Sequence, residues 1–291
     1  MSGFIMTEER NLGQYKQMIN RMAGQSNPQL DVERTALIVV DLVNDSSDDS
    51  GFFKTKLGFD ISLMKEIEPK VISLIDASKK AKIPVIGVQA IYDFGYIPKP
   101  MQERFEAMGI QGGIALKGAW GSEIIPKIKD KGLDLILVKS HYSAFAPRRT
   151  FAFCSGNVEL EQYMKLPNSE DAKLVAEGER TMSDYFVEAQ NAVENVDDHL
   201  DNGGVISLDN YLIGKGIGDL IVTGASTHVC ISSTIAGASE RGYKVFEPID
   251  AIAAEGIPRE GYMRHFVYAS NDGMFKAELT TTEKLLKAIQ K

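Results

Sequence analysis

A single α/β domain built on a largely parallel sheet is what this sequence predicts, and three observations carry that expectation. Continuous apolar runs of strand length occur at Thr35–Val40, Ile83–Val88, Leu135–Val138 and Leu220–Val222, as in strands buried on both faces under helical layers. Segments of helical period separate them. The stretch Leu220–Ala253 reads strand, turn, helix, strand, which is a βαβ unit. At 291 residues the chain is long enough for one large core.

Residues 1–33 are polar and rich in Met, Asn and Gln; they read as a loosely helical arm and a candidate oligomer contact, ahead of one domain over 34–291. The first strand closes on Asp41, a carboxylate at a strand end. The following Asn44–Gly51 carries Asp45, Asp48 and Asp49 but lacks both EF-hand spacing and the closing glutamate, so a solvated loop is expected. Ile61–Lys82 places Ile61, Met64, Ile67, Val71, Leu74 and Ile75 at helical intervals, with Pro69 set to kink or split the helix. After the strand at Ile83–Val88, Gln89–Gly113 is a long loop with a helical segment near Met101–Met108. Its Tyr92, Phe94 and Tyr96 either line a pocket above the sheet or pack the loop. Trp120 precedes a short helix at Ile124–Lys131, and the strand that follows ends in Lys139.

Cys230 is the residue on which a chemical reading turns. The strand Leu220–Val222 leaves the sheet at Gly224, a helix is expected from near Thr227, and small residues Ser232, Ser233, Ala236, Gly237 and Ala238 allow it close to the sheet. Cys230 then lies in the first helical turn, where free N–H groups and the dipole favour thiolate over thiol. The plainer alternative is a cysteine that fills a helix–sheet contact. In a parallel sheet, however, Asp41, Lys139 and Cys230 share one edge, the edge at which such sheets bind ligands. A carboxylate, an ammonium and a thiol in one crevice make a nucleophile with a base and an orienting charge.

Composition narrows the partner. The chain is 44% hydrophobic and 25% charged with a formal net charge of −8, which speaks against membrane and nucleic-acid binding and for a small molecule. Only two cysteines occur, Cys154 and Cys230, and no secretory signal pattern is visible, so a cytoplasmic protein with reduced thiols is expected.

Taken together, TALIVVDLVND around Asp41, KGAWGSEI, DLILVKSHYSAF around Lys139 and GASTHVCISSTIAGASERGYKVFEPIDAIA around Cys230 resemble the isochorismatase-like cysteine hydrolases. That family includes N-carbamoylsarcosine amidase, nicotinamidase, ureidoacrylate and biuret hydrolases, and isochorismatase itself. The resemblance implies a three-layer α/β/α fold with a six-stranded, largely parallel, Rossmann-like sheet, and dimers or tetramers as the usual assembly. It implies a catalytic triad of Asp41, Lys139 and Cys230, a cis peptide at Ala225–Ser226, and an oxyanion hole from the backbone N–H groups of Ser226 and Cys230. The expected activity is cleavage of a C–N bond in a small amide or ureide through a thioester. A vinyl-ether hydrolase that needs no thiol, and a catalytically silent binding member, are the alternatives.

The chain departs from the family pattern at specific places. Val43 stands where glutamine is usual and Ser46 where an aromatic is usual. No histidine lies between Gln89 and Gly113, and His141, His199, His228 and His265 are too scattered for a metal set, so neither metal nor other cofactor is expected. Ala146–Gly203 is an insertion, read as a lid or oligomer clasp, in which Thr181–Asp184 caps a helix reaching Leu200. At its start Arg148-Arg149 either pairs with a substrate carboxylate or is an exposed basic pair. Tyr92, Phe94, Trp120, Tyr142 and Arg148 are the candidate pocket residues.

Overall fold

The computed structural model describes residues 8–145, 150–154, 206–262, 265–266 and 277–290. The apolar runs form strands β1 (Thr35–Val40), β2 (Val85–Ala90), β3 (Tyr92–Asp93), β4 (Gly113–Ile114), β5 (Leu135–Lys139), β6 (Thr150–Cys154), β7 (Asp219–Gly224), β8 (Lys244–Pro248) and β9 (Glu278–Thr280). The main sheet has the order β6-β5-β2-β1-β7-β8-β9. Six of its strands, β5 through β9 in that order, are mutually parallel, as expected. The seventh, β6, adds an antiparallel edge beside β5. It is the described part of the insertion; the expected helix near Thr181–Leu200, with Arg148 and Arg149, lies outside the described residues.

Helices among the described residues are α1 (Glu8–Gln25), α2 (Asn44–Ser47), α3 (Phe52–Thr55), α4 (Ser62–Lys80), α5 (Lys99–Ala107), α6 (Pro126–Lys129), α7 (Leu208–Gly214), α8 (Ser232–Glu240) and α9 (Thr282–Ile289). Alternate residues of β1 sort the core into two halves. Leu37 and Val39 face Ile67, Val71 and Leu74 of α4 and Leu285 of α9, whereas Ile38 and Val40 face Tyr211 and Leu212 of α7 and Ile235 of α8. These are the three layers. None of these helices is long and apolar enough to cross a membrane.

Three local expectations change. α4 runs unbroken through Pro69: a mid-helix proline costs about 3 kcal/mol, but Met64, Ile67, Val71, Leu74 and Ile75 are all buried, at about 1.5–3 kcal/mol each, so packing wins. α1 is not a free arm. Ile19 and Ala23 are buried in this chain's own core, and Lys284 Nζ closes the helix by donating to Ala23 O at 2.9 Å and Ser26 O at 2.6 Å. Asn44–Gly51 is not a solvated loop either. Asp45 accepts from the backbone N–H of Phe52 at 3.2 Å and of Ala115 at 2.9 Å, tying together segments that no local pattern connects.

Candidate active site

β1, β5 and β7 end at one edge of the sheet, and each delivers a side chain there. Asp41 follows β1 with φ 49°, a left-handed conformation that aspartate tolerates better than most residues, and its N–H donates to Val88 O at 2.9 Å. Lys139 is the last residue of β5; its carbonyl accepts from Ile91 at 2.8 Å. Beyond β7 the chain turns at Gly224 and reaches Cys230. All three side chains are buried, Lys139 completely.

Lys139 Nζ stands 2.7 Å from Asp41 Oδ2 and 3.4 Å from Cys230 Sγ. It also donates to Tyr92 OH and to His141 O, each at 3.0 Å. Four acceptors therefore compete for three ammonium protons, and the Asp41 carboxylate is met by Lys139, by the Cys230 thiol and by the Ala90 N–H. Behind it, Ser46 donates to the Asp41 carbonyl at 3.2 Å, and Val43 is buried in a bridge to Ile124.

The electrostatics follow from burial. Desolvation raises Asp41 above its ordinary value, against the pull of the Lys139 charge. Desolvation would lower Lys139, but the charge of Asp41 and the bonds the ammonium makes outweigh it, so the ammonium is held. Burial pushes the Cys230 thiol up to about 12. That runs against the expectation of a thiolate favoured by the helix end: at this depth burial favours the neutral thiol. Cys230 also sits in a π turn, Thr227–Ile231, ahead of α8 rather than in its first α-helical turn.

Within that turn the N–H groups of Thr227, Val229 and Ile231 are committed to Ala253 O at 2.8 Å and, twice at 3.1 Å, to Ser226 O. The N–H groups of Ser226 and Cys230 make none of these closing bonds. The Ala225–Ser226 peptide is cis. Ser226 Oγ donates to Glu255 Oε2, a buried carboxyl raised by desolvation despite that bond. Sequence reasoning missed Glu255, which lies on an irregular stretch after β8.

The candidate pocket residues divide. Tyr92 reaches the centre, with its hydroxyl 3.2 Å from Cys230 Sγ, and Tyr142 packs edge-on to it, ring centroids 6.0 Å apart. Phe94 stacks on the far side of this aromatic group, on Phe105, whose ring also meets Tyr92. Trp120 is 48% exposed, and what it contributes is a carbonyl that accepts from Asn44 at 2.8 Å. Arg148 lies outside the described residues, as does His199. His265 pairs with the buried Glu247 at 2.5 Å, and no group of three or more His, Cys, Asp or Glu among the described residues is placed to hold a metal ion.

The Isochorismatase domain model matches residues 35–171 and 166–284, nearly the whole of the described sheet. The chain belongs to the isochorismatase family. Among curated relatives it is similar to the ureidoacrylate amidohydrolase RutB of Acinetobacter baylyi, 30% identical over 132 residues, which is 40% of this chain and 52% of the relative. The chain thus spans about half the length of that relative. The RutB of Methylorubrum extorquens is 23% identical over 274 residues, covering 87% of this chain and 86% of the relative. Among solved structures, a cysteine hydrolase from Pseudomonas syringae superposes with TM-score 0.59 at 19% identity over 91% of this chain and 99% of that one. N-carbamoylsarcosine amidase from Thermoplasma acidophilum gives TM-score 0.51 at 19% identity, over 86% and 97%. Those likenesses establish the α/β fold shared by the isochorismatase family.

Proposed function

We propose that this isochorismatase-family protein is a cysteine amidohydrolase that cleaves a C–N bond of a small amide or ureide through a thioester. The observation that carries the reading is the buried cluster of Asp41, Lys139 and Cys230, with the ammonium in contact with both partners. The similarity to proteins named as ureidoacrylate amidohydrolases supports the bond class.

The chemistry follows from moving one proton without changing the net charge of the cluster. Cys230 gives its proton to Asp41 as Sγ attacks the carbonyl carbon, so a buried carboxylate becomes a buried thiolate beside the same fixed ammonium. Because the number of buried charges is unchanged, the desolvation that raises both pKa values does not oppose the transfer a second time. The carbonyl oxygen takes up the electron pair and meets the N–H groups of Ser226 and Cys230. Collapse of the adduct breaks the C–N bond, and protonated Asp41 delivers its proton to the leaving nitrogen. Asp41, again a carboxylate, then takes a proton from water as the hydroxide adds to the thioester; the C–S bond breaks, the acid leaves, and the proton returns to Cys230. Lys139 stays cationic throughout and orients Asp41.

The deciding experiment is Cys230→Ala against a panel of amides and ureides, with ammonia release as the readout. Loss of release with retained substrate binding supports the thioester route. Near wild-type turnover by Cys230→Ala on the true substrate would refute covalent catalysis and favour hydrolysis of a vinyl ether.

A further inference from the structure

We propose that Tyr92 is a fourth catalytic residue, whose hydroxyl donates the hydrogen bond that holds the Cys230 thiolate once Asp41 has taken the thiol proton; this rests on Cys230 being the nucleophile. The geometry assigns the proton. A tyrosine hydroxyl has one proton to give and two lone pairs to receive with, whereas an ammonium can only donate. Lys139 Nζ at 3.0 Å therefore donates into the Tyr92 oxygen, and the hydroxyl proton must go elsewhere. Two acceptors lie within reach, Cys230 Sγ at 3.2 Å and His141 O at 3.4 Å. The carbonyl already receives Lys139 at 3.0 Å. The sulfur is the nearer acceptor and the one that gains charge during the reaction.

That last point makes the bond catalytic and not merely structural. A neutral thiol is a weak acceptor; a thiolate is a strong one, and hydrogen bonds to ionised partners are about twice as strong as neutral ones. The contact therefore strengthens as the sulfur loses its proton, which is the differential stabilisation that lowers a barrier. Tyr92 is built to stay in place and to stay protonated. Its backbone pairs with Ile114 in the β3–β4 ribbon, and its ring is packed edge-on by Phe105, at 5.9 Å between centroids, and by Tyr142. Burial holds its pKa well above the ordinary tyrosine value, so it remains a donor while the thiol beside it ionises. Being neutral, it helps the thiolate without adding a charge that would tighten its own hold on Asp41.

The test is the rate of Cys230 carbamidomethylation by iodoacetamide in the full-length protein, resolved by peptide mass from about pH 7 to about pH 10. In Tyr92→Phe the rate should fall about ten- to a hundredfold at each pH, the effect of losing a hydrogen bond to a charged group, and kcat should fall in step with KM little changed. A purely packing role predicts the opposite, since a loosened pocket exposes the thiol and speeds alkylation. A rate equal to or above wild type overturns the proposal. Should Tyr92→Phe not fold, 3-fluorotyrosine at position 92 keeps the ring and offers a more acidic donor. Alkylation should then quicken, and an unchanged or slower rate overturns the proposal equally. If Cys230→Ala retains hydrolysis, the parent reading fails; if it is inactive while both Tyr92 variants alkylate like wild type, only the role of Tyr92 fails.

Discussion

Ser226 and Glu255, which follow two neighbouring strands of the sheet, are joined by a hydrogen bond from the serine Oγ to Glu255 Oε2. Ser226 O in turn receives the N–H groups of Val229 and Ile231, each at 3.1 Å, so what anchors Ser226 also anchors the π turn that presents Cys230. A buried carboxyl thus supports the backbone that carries Cys230. It does so at a cost in stability, because desolvation, and to a lesser degree the charge of Asp41, raise Glu255 above its ordinary 4.5.

Glu255→Gln keeps an oxygen to accept from Ser226 and removes the ionisation. The sign follows from linkage: a carboxyl raised in the folded state stabilises fully below its unfolded value, and that stability is lost as pH rises through its folded value. The variant should therefore match wild type below the unfolded value of 4.5 and become the more stable of the two as pH climbs past the folded value. Urea denaturation across that window checks it; a stability difference that does not vary with pH would count against the buried ionisation.

With its thiol pushed up to about 12, Cys230 in the substrate-free protein should react slowly with iodoacetamide near neutrality. The rate should climb about tenfold per pH unit, with no plateau before strongly alkaline pH. A plateau near pH 7 would show a preformed thiolate and a different resting charge distribution.

Gly224 sits at φ +111°, and a Cβ there would collide with Val40 O, the carbonyl that accepts from Ala225 at 2.8 Å. Gly224→Ala should cost about 1–3 kcal/mol from backbone strain, more if β7 and β1 are forced apart. It should also lower turnover, since the displaced segment leads straight to Ser226. A thermal midpoint equal to wild type would mean the chain can rotate this turn without loss.

The parts legible in the sequence are those whose signal is local. Four of the six parallel strands contain continuous apolar runs, and a strand buried on both faces leaves that trace whatever surrounds it. Asp41, Lys139 and Cys230 could be brought together on paper because a parallel sheet puts all its carboxyl ends at one edge. β9, three residues long, is too short to show a period, and β6 gives no cue that its segment will pair antiparallel with β5. Asp45 misleads because its partners are distant backbone N–H groups; a sequence shows three aspartates and suggests water. Glu255 lies on irregular chain and Tyr92 on a two-residue strand, where no periodic pattern gives the direction of a side chain and tertiary contacts set it. The acidity of Cys230 is hard to read for a related reason: the helix end is visible in the sequence, but the depth of burial that pushes the thiol up is not.

Asp41→Asn separates the base from the scaffold. An asparagine fills the same volume but cannot take the Cys230 proton, so acylation should slow by about 10²–10⁴, seen as a missing burst of ammonia with substrate binding retained. The same change strips Lys139 of its counter-ion. In the wild type Lys139 is raised above 10.5, so its contribution to stability is present below that value and lost only as pH rises through the folded one. Without Asp41 the desolvation acting on the fully buried lysine is opposed far less, and its folded pKa should drop below the unfolded value. The pH dependence then inverts: the unfolded chain binds the proton more tightly, and the stability of the variant rises with pH up to the unfolded lysine range. Removing one partner of a buried pair typically costs about 3–5 kcal/mol, so the loss should be largest at neutral pH and shrink on going alkaline. Urea unfolding of both proteins at neutral pH and about two units higher measures this. Parallel curves for the two proteins would mean that Lys139 does not depend on Asp41 for its charge, and the orienting role assigned to the lysine would have to be given up.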